Sequence, residues 1–183
     1  MKVPEEVFSS GLLDKVHHER LIANLDNVSK IAGVPPKFVW TKLSAFCSKE
    51  EIEWVRRIRS ADSSGLALTG KLSSSVDNKM MVMVGAFLRN YIDARVMTVQ
   101  DVIQRLKDDD MPSPTVLLVP NFCVEKGEGG DIPQWQVSSL LGLLHTRLSK
   151  QQKTVLYAPS LSALEKQYGQ PFRAHVEAHY TVI

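Results

Sequence analysis

Apolar positions follow two rhythms along this chain. Through residues 4–32 they fall at Val7, Phe8, Leu12, Leu13, Val16, Leu21, Ile22, Leu25, Val28 and Ile31, a helical spacing broken once near Gly11. This predicts a helical N-terminal arm over residues 1–32, stopped by Ala32-Gly33-Val34-Pro35-Pro36-Lys37-Phe38, because glycine and two prolines cannot continue it. Ser48-Lys49-Glu50-Glu51 has the form of a serine cap with an acidic first turn, opening a helix to about Arg59 whose apolar stripe is Trp54, Val55 and Ile58. Gly65 to Thr69 alternates like a strand, and an amphipathic helix is expected from about Lys79 to Asn90. Ala94 to Met97 makes a short strand, and Thr98 caps a helix from Val99 to Leu106. Thr115 to Val119 and Thr154 to Tyr157 are unbroken apolar and β-branched runs, the kind buried on both faces of a parallel sheet. Between them, Gln136 to Leu148 is expected to turn Val137, Leu140, Leu141, Leu144 and Leu148 inward. The chain closes with a short helix from Ser162 to Tyr168, Gly169, and a strand from Tyr180 to Ile183. Alternating strands and helices imply an α/β sandwich with a mostly parallel sheet, with Leu66, Leu68, Val116, Leu118, Val155 and Leu156 in its interior.

Composition narrows this little. A chain of 183 residues with 44% hydrophobic content can bury a full core without disulfides or metals. No run approaches a bilayer span, and Met1-Lys2-Val3-Pro4-Glu5-Glu6 has no apolar signal core, so a cytoplasmic protein without a membrane partner is expected. Cys47 and Cys123 are too far apart in sequence to suggest a zinc knuckle and are expected to be buried thiols. The net charge of +2 announces no nucleic-acid partner by itself. Local basic groups do exist: Arg56, Arg57 and Arg59 form the densest cluster, and Lys71 and Lys79 flank the loop after Thr69. These five are the candidate nucleic-acid contacts, against the plainer reading of a solvated face. His17 and His18 are expected to be solvated, Asp108-Asp109-Asp110 to be an exposed turn, and Glu125 to Pro133 an exposed glycine-rich loop.

The chemistry concentrates on Gly65 to Met80, laid out as strand, small-residue loop and helix. A working phosphate loop reads G-x-x-x-x-G-K-[ST]: backbone N–H groups wrap the phosphates, lysine reaches the outer ones, and the hydroxyl holds magnesium. Counted from Gly70, the last three positions hold Ser75, Val76 and Asp77. Valine carries no charge, and aspartate would repel a triphosphate. The strand Thr115 to Val119 likewise ends in Pro120 and Asn121, neither of which can bind magnesium as a carboxylate does or act as a base.

In order and spacing, these pieces resemble the helicase-loader branch of the AAA+ ATPases, the DnaC, DnaI and IstB group, from Gly33 to the end of the chain. Gly33 to Phe38 is similar to the G-[IV]-P-P-[RK]-[FY] run that opens that domain, and Gly65 to Gly70 to the strand entering Walker A. Thr115 to Val119 looks like the Walker B strand, Thr154 to Ser160 like the sensor 1 strand, and Leu161 to His175 like the closing helix, glycine and arginine segment. The resemblance implies a three-layer P-loop sandwich of AAA+ or RecA-like type over residues 33–183. It also implies a nucleotide site at Gly70, Ser75, Val76, Asp77, Pro120, Asn121 and Ala158, the last at the sensor 1 position. The family's interface arginine falls on His175, with Arg173 two residues earlier. His175 and His179 have metal-like spacing, but no third ligand is apparent in sequence.

The departures all strike nucleotide chemistry. The expectation is a pseudo-ATPase with no cofactor and no catalytic residues, a binding or assembly subunit in DNA replication, recombination or transposition. Its partner would be an AAA+ ATPase, a helicase or another copy of itself, with DNA contacted directly or through that partner. Two alternatives are an adaptor or inhibitor that docks through the arm, and a surviving ATPase with shifted motifs.

Overall fold

A computed structural model of the protein describes residues 15–60, 64–70, 75–123 and 133–183. Its centre is a five-stranded sheet, every pair parallel, in the order β2-β3-β4-β1-β5. The strands are β1 (Gly65–Thr69), β2 (Ala94–Val96), β3 (Val116–Val119), β4 (Lys153–Ala158) and β5 (Tyr180–Val182). The unbroken apolar runs become the interior strands because both of their faces are covered. Leu66, Leu68, Val116, Leu118, Val155 and Leu156 are all 3% exposed or less, as the sequence predicts.

Alternation along the strands divides the core in two. Leu66, Leu68, Val116, Leu118, Val155 and Tyr157 face one cluster, filled by Ala32, Trp54, Val55, Ile58, Met80, Met83 and Phe87. These come from α2 (Leu25–Ala32), α4 (Lys49–Arg56) with the turn that follows it, and α5 (Ser75–Arg89). Ala67, Leu117, Val119, Leu156 and Ala158 face the other cluster, with Val102, Leu140, Leu144, Leu164, Phe172 and Val176. Those side chains sit on α6 (Val99–Lys107), α7 (Gln134–Ser149), α8 (Leu161–Tyr168) and α9 (Gln170–His179). The result is three layers, helix, sheet and helix.

Local signals behave as expected at α4 and α6. Ser48 and Glu51 form a reciprocal capping box, and so do Thr98 and Asp101. The close approach of α5 to α3 (Pro36–Val39) requires Gly85, where an added Cβ would lie 2.2 Å from the Phe38 carbonyl oxygen.

Several expectations are corrected. Helix α5 begins at Ser75, a full turn before Lys79, and α7 runs from Gln134 to Ser149. Leu148 is 41% exposed rather than inward; Leu143 takes the core position instead. The segment after Gly169 is a helix, α9, opened by Pro171 in its first turn. The described part of the arm is two helices, α1 (Lys15–Ala23) and α2, parted at Asn24; the break read near Gly11 lies outside the described residues. His18 is not solvated. Its ring is wholly buried, 5.1 Å from that of Trp40, and burial together with the nearby Arg89 lowers its pKa. The loop read over 125–133 is described only at Pro133. Among the described residues no helix is long and apolar enough to cross a membrane.

The least sequence-legible packing element is Arg147, 1% exposed on α7. Its Nε donates to Thr154 Oγ1 at 3.0 Å, Nη1 to the Pro112 carbonyl at 3.0 Å, and Nη2 to those of Pro114 and Lys153 at 3.0 and 2.7 Å. Burial lowers its pKa to about 10, so it stays cationic at neutral pH, solvated by backbone oxygens instead of water.

Candidate nucleotide-loop site and basic surfaces

Strand β1 delivers the chain to Gly70 at φ +125°, a left-handed conformation suited to glycine. Neighbours hold that residue: its N–H donates to the Pro159 carbonyl at 3.2 Å, and its own carbonyl accepts from the Tyr157 hydroxyl at 2.7 Å. Residues 71–74 lie outside the described residues, Lys71 among them. Ser75 then opens α5, so β1 and a helix stand on either side of those residues. Val76 is 7% exposed and belongs to the core cluster with Leu68 and Met80. Asp77 is exposed in the first turn, where its charge complements the helix dipole and would repel an anion.

The end of β3 is also committed to structure. Pro120 is buried, and Asn121 bridges to α6: its Oδ1 accepts from the Val99 N–H at 3.0 Å, and its Nδ2 donates to Gln100 Oε1 at 3.0 Å. Asn121 thus satisfies a free N–H at a helix start. Ala158 is 1% exposed and lies in the second core cluster.

Arg173 and His175 part company. Arg173 sits at the surface with Nη1 2.9 Å from Glu165 and Nε 2.9 Å from Glu177, hydrogen bonds that raise its pKa. His175 is 5% exposed, its ring 4.5 Å from that of His145, 5.0 Å from His179 and 5.9 Å from Tyr180. Burial, then the two flanking histidines, lower its pKa to about 4. A side chain so enclosed cannot serve as a contact residue on the surface, which leaves Arg173 alone of the pair. Among the described residues no group of three is placed to hold a metal ion.

The basic candidates are largely occupied. Arg57 Nε lies 2.9 Å and Arg56 Nη1 3.9 Å from the Glu53 carboxylate, while Arg59 donates to the Asn90 carbonyl at 2.6 Å. Lys79 is turned inward to Glu51 at 2.6 Å, joining α5 to α4, with side chains 22% and 4% exposed. It is therefore not presented to a nucleic acid. The Cys47 thiol, buried and near Glu51, is pushed up to about 12 and is unreactive.

Two clefts have no signature in sequence because their walls come from distant segments. One, of ≈ 920 Å³, lies between α4 and the end of β5, lined by Trp54, Arg57, Val182 and Ile183 among others. The other, of ≈ 330 Å³, gathers Lys30, Gly33, Arg95, Met97 and Arg105 from α2, β2 and α6.

No protein-family model matches the chain, and no curated protein matches it by sequence. Solved structures do match in shape. DnaI superposes with a TM-score of 0.63 at 12% identity, covering 82% of this chain and 90% of its own. The DnaC helicase loader gives 0.58 at 14%, covering 80% of this chain and 97% of its own. The replication initiator DnaA, bound to AMPPCP and single-stranded DNA, gives 0.60 at 12%, and there the match covers 81% of this chain but 50% of DnaA, so the chain spans about half its length. Strand order, layering and superposition agree: the protein has the α/β P-loop fold of the AAA+ proteins, in the form seen in helicase loaders.

Proposed function

We propose that this protein is a non-catalytic AAA+-like subunit, a binding or assembly factor in DNA replication, recombination or transposition that acts within a larger protein–DNA complex. One observation carries the reading: the side chains at the nucleotide-site positions are used for packing and capping. Val76 fills the core, Asn121 caps α6, and Ala158 is sealed under α8 and α9. With Val76 at the counted lysine position and Pro120 and Asn121 where the strand would end in carboxylates, charge-assisted contacts to phosphate and magnesium worth several kcal/mol together are missing. Its neighbours in shape include a helicase loader and a replication initiator, which supports the setting. Calorimetric titration with magnesium and ATP is expected to show no binding in the micromolar range; magnesium-dependent micromolar binding would sink the pseudo-ATPase reading.

A second reading, an adaptor that docks on a helicase or another protein, is favoured by the arm, where Val16, Ile22 and Ile31 are 54%, 37% and 54% exposed on α1 and α2. Size-exclusion runs with candidate AAA+ or helicase partners, with and without DNA, separate the two. A ternary complex supports the assembly subunit, and a protein-only complex that excludes DNA supports the adaptor.

A further inference from the structure

We propose that the cleft between α2, β2 and α6 binds the phosphodiester backbone of a single nucleic-acid strand, the phosphate seated among Lys30, Arg95 and Arg105. This deepens the reading above and rests on its nucleic-acid part. It moves the contact from the arginine cluster of α4 to a site that sequence gives no reason to suspect.

Four observations converge. Three cations reach one cleft from three elements: Lys30 from the last turn of α2, Arg95 from β2, and Arg105 from α6. At ≈ 330 Å³ the cleft is at the small end of ligand sites, which run from ~300 to 1,000 Å³, and so suits one nucleotide unit of a longer strand. The arginines keep donors to spare. Arg95 uses Nε and Nη2 on Asp93 at 3.4 and 3.5 Å, and Arg105 uses Nη1 on Asp110 at 2.7 Å, while each guanidinium carries five N–H groups. A phosphate can therefore add to these pairs without displacing the carboxylates.

The single acid in the lining, Asp101, is engaged in the cap of α6: its Oδ2 accepts from the Thr98 N–H and hydroxyl at 3.4 and 2.6 Å. Beside the cations, Ile31 and Met97 supply apolar surface on which a sugar or base can lie.

Position also separates the two basic candidates. Val96 and Met97 stand at the carboxyl end of β2, an edge strand of the sheet, with Arg95 one residue before. The α4 cluster sits at the opposite end, since Trp54 bonds to Ser64 before β1 and Arg59 to Asn90 after α5.

The test is fluorescence anisotropy of a labelled single-stranded oligothymidylate against the full chain at two salt concentrations. The variants are Lys30→Gln/Arg105→Gln and, as control, Arg56→Gln/Arg57→Gln, with folding of each checked by circular dichroism. Wild type is expected to bind with salt-dependent affinity. The cleft variant should bind about tenfold more weakly and lose about 0.7 from the slope of log K against log salt, the share of the one phosphate contact the cleft supplies. The control should stay within about twofold. Lys30→Glu, a single change at an exposed site, should weaken binding by at least as much as Lys30→Gln.

If the control loses binding while the cleft variant keeps it, the cleft proposal is overturned and nucleic-acid binding stands. If wild type shows no salt-sensitive binding at low ionic strength, both fall, and DNA is reached only through a partner. If inorganic phosphate or thymidine monophosphate competes as well, per phosphate, as unlabelled strand does, the ligand is a free nucleotide and the strand assignment is overturned.

Discussion

His175 has its pKa near 4 in the folded chain and near 6.5 when unfolded, because burial penalises its charged form. The unfolded state therefore binds a proton between those values that the native state refuses. Stability from this group is complete above pH 6.5, falls as pH drops from 6.5 to 4, and loses on the order of 3 kcal/mol in all. Urea unfolding at pH 7.5 and pH 4.5 checks this: His175→Phe should show a pH-dependent loss smaller by about 2–3 kcal/mol than wild type. Equal losses would mean that the ring is hydrated in solution. Histidine gives no hint of burial in a linear sequence. The i, i+4 spacing of His175 and His179 was visible, but the packing of His145 against that pair depends on how α7 lies beside α9.

At the scale of elements, the sheet and its caps were legible because their signals are local. Val116 to Val119 is apolar throughout, and Ser48 and Thr98 each stand three residues before an acid. Contacts between elements were not. Lys79 reads in sequence as a free charge beside a loop until α4 supplies Glu51, and Leu148 fits the periodicity of α7 but lies on the exposed side of its last turn, next to buried Arg147. Glycines make the same point testable. Gly85→Ala adds a good helix former, worth about 1 kcal/mol, yet its methyl would meet the Phe38 carbonyl and force α3 from α5. A net loss of about 1–3 kcal/mol is expected by thermal melting. Gly142→Ala, on α7 with nothing within 4 Å, should instead gain up to about 1 kcal/mol. If both melt higher than wild type, α3 and α5 are not in the contact described.

The whole molecule superposes on solved loader and initiator structures at 12–14% identity, so the frame could be read from sequence while its use could not. A parallel sheet needs long apolar runs whatever it binds, so the fold leaves a strong trace. The loop chemistry is a handful of side chains, and here Val76, Asn121 and Ala158 have other work. The cleft of Lys30, Arg95 and Arg105 joins positions as much as 75 residues apart, with no spacing rule to reveal it.

The strand order also sets a timetable. Strand β1 pairs only with β4 and β5, at Leu66 with Val155 and at Gly65 with Tyr180, segments that leave the ribosome long after it. At ~5–20 residues per second, Leu66 and Leu68 wait roughly 5–20 s between synthesis and the arrival of their first partner strand. During that interval both edges of a strand destined for the core stand open, a hazard of non-local pairing. A nascent chain stalled after residue 150 is therefore expected to be protease-sensitive and chaperone-bound, and one tethered far enough beyond Ile183 to clear the exit tunnel to be resistant. Pulse proteolysis of the two stalled chains checks this, and equal resistance would show that β1 is protected before β4 exists.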